Sequence, residues 1–545
     1  MRFCRDIRAL QVKRHPGRSH EDLVTMKMPL RLAGVILLFL VAASSAMGVQ
    51  GPLLTELEKS GYFRLASSEE ISHFLAELSR RNAAAEKITI ATSALGSPID
   101  ALLVSSEMNR FKRGCPSPGR ITVMLIGSQH GTEPSGAEAL LMLSRDLTEG
   151  KLTAYLEDMS FIIIPNGNPD GRDLNRRANG NGVNLSTNYV ILTEPESRGI
   201  LDVLHTWKPE VVLDVHESAV LKKKSLGKQG YLTDFEAQFE AANNPNVDSR
   251  IRSVRFGLLL PELIERVRSQ GLSARCYIGE ITDSNQVITH GGLSLRNLRN
   301  MAGMRGSFSF LLENRLDPSS GSYPTPRNIR ERVRKQYLCI SVFLSCCRTH
   351  CYEIGEISRT VRIGWKNPRG EDQLYLSCSY VADLEKPQIT LPLRKRGTSE
   401  RVNHVFRYHG AVACHAPCSL PASYIVSNHQ ELIRDILDRH HIEYEVAERP
   451  AEWLVAIQNI MCPKGMLSEA AHPHGTCSIT ERREQYTLQK GDLVISLDQP
   501  GRMLIPLLLE PRSSSGIFNA AEYRDLVKEQ REFFIYRGHK RPYRP

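Results

Sequence analysis

A chain of 545 residues is too long for one ordinary hydrophobic core, so two domains with extra segments are expected. Its 41% hydrophobic and 24% charged residues fit a globular soluble body. The net charge of +10 is modest and diffuse, apart from a basic extreme N-terminus and the run Lys222–Lys224. The basic-aromatic array that single-stranded nucleic acid requires is missing, which excludes nucleic acid as the expected partner.

Near the N-terminus, Lys27 and Arg31 lead into an apolar run from Leu32 to Val49 that contains the small residues Ser44, Ser45 and Ala46. The pattern reads as an export signal cleaved near Ala46. Its 18 apolar-run residues leave an uncleaved membrane anchor as the competing reading. Either way the protein is expected outside the cytoplasm, periplasmic or secreted, and membrane contact is expected only through that anchor. Twelve cysteines in an exported chain invite disulfides. Cys414 with Cys418, and Cys462 with Cys477, are the local candidates.

Beyond the signal, Ser68 to Leu78 reads as a capped helix with Ile71, Phe74, Leu75 and Leu78 on one face. Lys87–Ala91 and Ile99–Val104 form a predicted hairpin over Gly96-Ser97-Pro98. Then strands and helices alternate. Strands are predicted at 121–126, 161–164, 211–215 and 309–312, and helices at 135–147, 195–206, 257–270 and 325–346. This alternation predicts an α/β fold, a mixed and mostly parallel sheet with helices on both faces. From about Cys351 short strands and turn residues dominate, followed by a helix over 428–440 and strands at 493–495 and 504–509. The expected division is residues 1–49 as extension and signal or anchor, 50–350 as catalytic domain, and 351–545 as a smaller α+β accessory domain.

The chemistry gathers at strand ends. His130-Gly131-Thr132-Glu133 follows the strand at 121–126, Asp214-Val215-His216 ends another, and Phe310-Leu311-Leu312-Glu313 ends a third. Ligands of open α/β sheets bind at the carboxyl ends of strands. Two histidines and one glutamate leave a fourth zinc position open, the pattern of a catalytic rather than a structural site. A further carboxylate, Glu313, is then available to handle the proton.

With these motifs the chain resembles the M14 zinc carboxypeptidase family. The resemblance runs from about Pro52 to Cys346. It includes Asn168-Pro169-Asp170-Gly171, the loop Arg177 to Asn184, and Glu313-Asn314-Arg315. It implies zinc held by His130, Glu133 and His216, Glu313 as general base, and Arg177 as the cation facing the oxyanion.

The departures fall in one loop. The family's Gly-Val-Asp-x-Asn-Arg-Asn reads here Gly182-Val183-Asn184-Leu185-Ser186-Thr187-Asn188. Asn184 replaces the aspartate that orients a zinc histidine, so the acceptor loses its charge. Ser186 and Thr187 replace the Asn-Arg pair that grips the substrate's terminal carboxylate, and a hydroxyl is no substitute for a bidentate guanidinium. Arg176, Arg296, Arg299 and Lys222–Lys224 are the candidate replacement cations. His290 stands near the place of the family's substrate-capping tyrosine. The expected function is an exported zinc metallopeptidase of carboxypeptidase type, acting on a peptide or peptide-like substrate. The alternatives are a zinc amidase or deacylase, a cell-wall peptide hydrolase, or a non-catalytic peptide-binding module.

Overall fold

A computed structural model describes residues 51–114, 116–221, 224–316, 329–365, 373–461, 478–528 and 532–540. The predicted export segment, Lys222, Lys223, Cys462 and Cys477 lie outside the described residues. No helix among the described residues is long and apolar enough to cross a membrane.

The helix Ser68–Arg81 begins at a capping box. Ser67 Oγ accepts from the Glu70 amide, and the Glu70 carboxylate accepts from the Ser67 amide. Its four predicted apolar residues are buried. Strands β1 (Ala85–Thr92) and β2 (Pro98–Val104) form the predicted hairpin, with Gly96 at φ +95° in the turn. Then come β3 (Ile121–Gly127), β4 (Met159–Ile164) and β5 (Val211–Ala219), followed by β6 (Tyr231–Thr233), β7 (Ala237–Ala241), β8 (Ala274–Cys276) and β9 (Phe308–Leu316). All of them except β6 make one sheet in the order β1-β2-β4-β3-β5-β9-β7-β8.

The centre, β4-β3-β5-β9, is parallel, and antiparallel pairs flank it. Every residue of β3 and β4 is buried, as the continuous apolar runs require of strands covered on both faces. Helices Ser135–Thr148, Ile329–Thr349 and Cys351–Gly364 pack against this sheet and against one another. The predicted α/β architecture with a mixed, mostly parallel sheet is what the chain adopts.

Past residue 351 the chain adds further sheets and helices, as the expectation of an α+β region there has it. Residues Leu53–Pro545 cluster as one compact unit. Strands β10 (Gln373–Val381), β11 (Gln388–Lys395), β12 (Arg401–Arg407) and β13 (Ala411–Ser419) follow in sequence. The hairpin β11–β12 adds to β6 of the first region, with Leu393 opposite Thr233, and buries Leu391, Leu393 and Phe406 with Phe235, Ile278 and Ile281. Further on, β14 (Ser423–Val426), β15 (Glu445–Val446), β16 (Glu452–Met461), β17 (Ser478–Thr487), β18 (Leu493–Ser496) and β19 (Ile535–Lys540) form an antiparallel sheet beside the helix Gln430–Arg439.

Three local expectations change. The run Leu504–Leu509, predicted as a strand, is a buried helix, its first turn closed by the Leu504 and Ile505 amides on the Gly501 carbonyl. An apolar run this short does not distinguish the two states. The helix predicted from Gly257 is regular only over Leu260–Ser269, because a wider turn at Arg255–Leu259 precedes Pro261, which has no amide hydrogen to give. Cys414 and Cys418 lie on one extended strand, where four residues span about 13 Å, too far for a disulfide. Cys414 instead faces Cys378 of β10, with 3.6 Å between sulfurs.

Candidate active site

His130 and Glu133 sit in the turn between β3 and the helix Ser135–Thr148, at the carboxyl end of a central strand. Glycine at 131 is enforced by close packing: a Cβ there would lie 2.0 Å from the Gly171 backbone carbon. That contact holds the His130 turn against the short helix Pro169–Asp173, which Asn168 caps through its side chain on the Gly171 amide. His216 lies on neighbouring β5. The parallel register sets it opposite Glu313 on β9, and Gln238 on β7 comes next across the sheet.

His130, Glu133 and His216 are buried, and one ligand atom from each falls within 4.8 Å of the others. His130 Nδ1 is 2.9 Å from Glu133 Oε1 and 3.1 Å from His216 Nδ1, and His216 Nδ1 is 3.0 Å from Glu133 Oε2. The outward ring nitrogens are committed elsewhere. His130 Nε2 faces Asn184 Oδ1 at 3.0 Å and Ser186 Oγ at 2.9 Å, and His216 Nε2 faces Asp214 Oδ1 at 2.8 Å. An outer acceptor of this kind keeps the hydrogen on Nε2 and turns the Nδ1 lone pair inward, as metal-binding histidines require. The donor set of two imidazoles and a carboxylate fits a zinc ion.

The electrostatics follow from burial and pairing. Burial pushes the His130 imidazole below its ordinary value. Burial also disfavours the charged forms of His216 and Glu133, and close contacts outweigh it. The Asp214 carboxylate pushes His216 well up, and the two imidazoles hold Glu133 well below the usual carboxylate range.

Around these residues opens a cavity of about 190 Å³ whose lining includes Glu133, Arg177, Glu217, Tyr277, Glu313 and Arg315. Arg177 Nη1 donates to Glu133 Oε1 at 2.7 Å. Glu217, directly after His216, accepts from the Ser135 amide and from both Nε and Nη2 of Arg332, tying β5 to two helices beneath the donor set. The structure thus brings together His130, Glu133, His216, Arg177, Asn184, Ser186 and Glu313 as the sequence ordered them.

Other predicted residues lie elsewhere. Thr187 is exposed, its hydroxyl donating to the Asn184 carbonyl at 3.2 Å. His290 is not part of the cavity lining. Its Nδ1 bonds the Tyr277 carbonyl at 2.7 Å and its Nε2 meets the Tyr408 hydroxyl at 2.5 Å, so it braces the wall from behind. Among the candidate cations, Arg299 is buried against Glu240 at 2.7 Å, and Arg176 and Arg296 are outside the lining. Tyr277 and Arg315 are among the lining residues to which the sequence reading gave no role. Tyr277 follows the short strand β8, which carries no periodic signal. Arg315 stands in the motif Glu313-Asn314-Arg315 but was given no role there; it faces Asp234 at 3.4 Å.

Comparison with known proteins finds similarity to carboxypeptidases. The zinc carboxypeptidase family, M14, matches residues 71–199, which include His130, Glu133, Arg177 and Asn184. Carboxypeptidase 2 of Trichophyton rubrum is 28% identical over 205 residues, covering 37% of this chain and 38% of that protein. Carboxypeptidase E of Caenorhabditis elegans is 33% identical over 90 residues, covering 13% of this chain and 19% of that protein. The chain therefore spans well under half the length of these curated relatives. Carboxypeptidase A from Helicoverpa armigera, a solved structure, has a TM-score of 0.40 at 18% identity, covering 59% of this chain and 81% of that one. In its motifs and in its matching segment, the chain is M14 zinc carboxypeptidase-like.

Proposed function

We propose that the protein is an exported zinc hydrolase of carboxypeptidase type, cleaving an amide near the end of a peptide. The observation that carries this reading is the convergence of His130, Glu133 and His216 donors within 4.8 Å of one another, beside Glu313 across the β5–β9 register. A zinc ion held by these residues would supply Lewis acidity at the scissile carbonyl and lower the pKa of water to about 7. Glu313 receives the proton released by the attacking water and returns it to the departing amine. Arg177 presents its guanidinium where negative charge develops on the carbonyl oxygen. Asn184, Ser186 and Asp214 keep the two imidazoles turned inward.

One observation favours a second reading, an amidase or deacylase. Ser186 is spent on His130 and Thr187 on its own loop, so the loop offers no cation to a terminal carboxylate. Purified protein is expected to carry about one zinc, to lose hydrolysis on chelation, and to regain it when zinc is returned. Peptides with free and amidated C-termini separate the two readings: preference for the free acid supports the first, and indifference supports the second. Zinc-free protein that cleaves neither peptide would overturn both. Sequencing the N-terminus of exported material tests cleavage near Ala46.

A further inference from the structure

We propose that Cys378 and Cys414 are the site of a disulfide that closes the base of the β11–β12 hairpin. The proposal goes beyond the hydrolase reading and does not rest on it. The two residues stand directly opposite each other in the antiparallel register of β10 and β13. Their sulfurs are 3.6 Å apart. Opposed residues of an antiparallel pair have Cα atoms about 4.5–5.5 Å apart, inside the range of about 4.4–6.8 Å that a disulfide spans. Bond formation therefore asks the sulfurs to close by about 1.5 Å through side-chain rotation, with the strands left in place.

Both cysteines are half-buried, within reach of a small reagent. Cys339, Cys346, Cys347, Cys351 and Cys418 are buried. Cys418, the second cysteine of β13, lies opposite Leu374, and its sulfur accepts from Arg537 Nη2 at 3.5 Å.

The topology says what the bond holds. β10 and β13 form a sheet of two strands, an arrangement that is marginal on its own in water. Between them in sequence runs the β11–β12 hairpin. Its Leu391, Leu393 and Phe406 bury with Phe235, Ile278 and Ile281, which line the cavity. A bond between residues 36 positions apart closes a loop that contains the whole hairpin. β10 has its own ties to the first region. The Tyr380 hydroxyl donates to the Gly291 carbonyl at 2.8 Å, and the Asn246 side chain exchanges two bonds of 2.8 Å with the Tyr375 backbone. The disulfide passes that anchorage to β13, and with it to the returning end of the hairpin.

The oxidant is a low-molecular-weight disulfide such as oxidised glutathione. One cysteine gives its proton to solvent, and its thiolate attacks a glutathione sulfur. The glutathione S–S bond breaks, and one glutathione thiolate leaves and takes up a proton. The second cysteine, deprotonated in turn, attacks the protein-bound sulfur of the mixed disulfide and releases the second glutathione thiolate. Two protein thiols are oxidised, and one glutathione disulfide is reduced to two thiols. Burial and the neighbouring Cys414 sulfur push the Cys378 thiol up, so alkaline pH favours the exchange.

The test uses the full chain with its thiols reduced, incubated with reduced and oxidised glutathione at about pH 8.5, then alkylated and digested. Peptide mapping should find Cys378 joined to Cys414. Cys378→Ser should leave Cys414 alkylated or carrying glutathione. Recovery of both wild-type cysteines alkylated, each bearing its own glutathione, or joined to other cysteines overturns the site. The linked wild-type protein should unfold about 4 °C above the reduced one, as loss of freedom in the unfolded chain requires. Cys378→Ser should show no such difference. Equal unfolding temperatures for linked and reduced protein, or a difference that persists in Cys378→Ser, overturn the bracing of the hairpin. If Cys378→Ser does not fold, the wild-type map and its two unfolding temperatures decide. Hydrolysis is not a readout, so failure of the hydrolase reading leaves this result untouched.

Discussion

Asn184 shows how one atom sets the strength of the site. Its Oδ1 accepts from His130 Nε2 and from the amide and hydroxyl of Ser186, at 3.0, 3.2 and 3.0 Å. A neutral amide makes the imidazole a weaker donor to metal than a carboxylate would. Asn184→Asp is therefore expected to tighten zinc binding about tenfold, read by competition with a chelator; unchanged or weaker binding would contradict the role given to this residue. Glu313→Gln should retain zinc while lowering kcat by about a hundredfold or more. Turnover near the wild-type rate in that variant would remove Glu313 from the mechanism. Glu313 was legible in the sequence because it stands at the end of an apolar strand, and Asn184 through the resemblance of its loop. Tyr277 and Arg315 were not. They reach the cavity from the irregular stretch after β8 and from the far end of β9, and only the register of the sheet brings them there.

The helix Gln430–Arg439 ends on His440, which is fully buried and donates from Nε2 to the Val190 carbonyl at 2.8 Å. Burial, aided by the nearby Arg305 cation, pushes this imidazole down to about 3. The folded protein therefore holds it neutral while the unfolded chain binds a proton below about pH 6.5. Its contribution to stability is complete above pH 6.5 and is lost as pH falls from there toward 3, at up to about 1.4 kcal/mol per pH unit. Thermal unfolding followed from pH 7 to 5 should show this loss, and His440→Gln should flatten the slope. An identical slope in the variant would place the acid sensitivity elsewhere.

The β11–β12 hairpin has its own test. Leu393 is fully buried against the cavity wall, and Leu393→Ala should cost about 2–5 kcal/mol in denaturant unfolding. A cost below about 1 kcal/mol would mean that the hairpin packs loosely on that wall. At this scale the periodic elements were legible, from the capped helix at Ser68 to the alternating strands of the central sheet. The three-residue strands β6 and β8 were not, because three residues show no alternation. The six-residue run at Leu504 was misread for the related reason that apolar character without period fits either state.

In the whole molecule, the alternation of strands and helices announced the α/β sheet, and a change of texture near Cys351 suggested a boundary. That change is real in composition, yet the chain past it is joined to the first region by the β6–β11 pairing, the Ile288–Tyr408 bridge and the arginines on Asp234. Pairing between strands so distant in sequence leaves no local pattern to read.

That pairing also has a temporal side. Asp234 and Arg394 are separated by 160 positions. At a synthesis rate of about 5–20 residues per second, roughly ten to thirty seconds pass between the emergence of β6 and that of its partner. Closing so long a loop is slow relative to forming local contacts. The nascent chain completes its histidine and glutamate donors first and gains the hairpin behind the cavity wall last, so donors and wall mature in separate stages of folding.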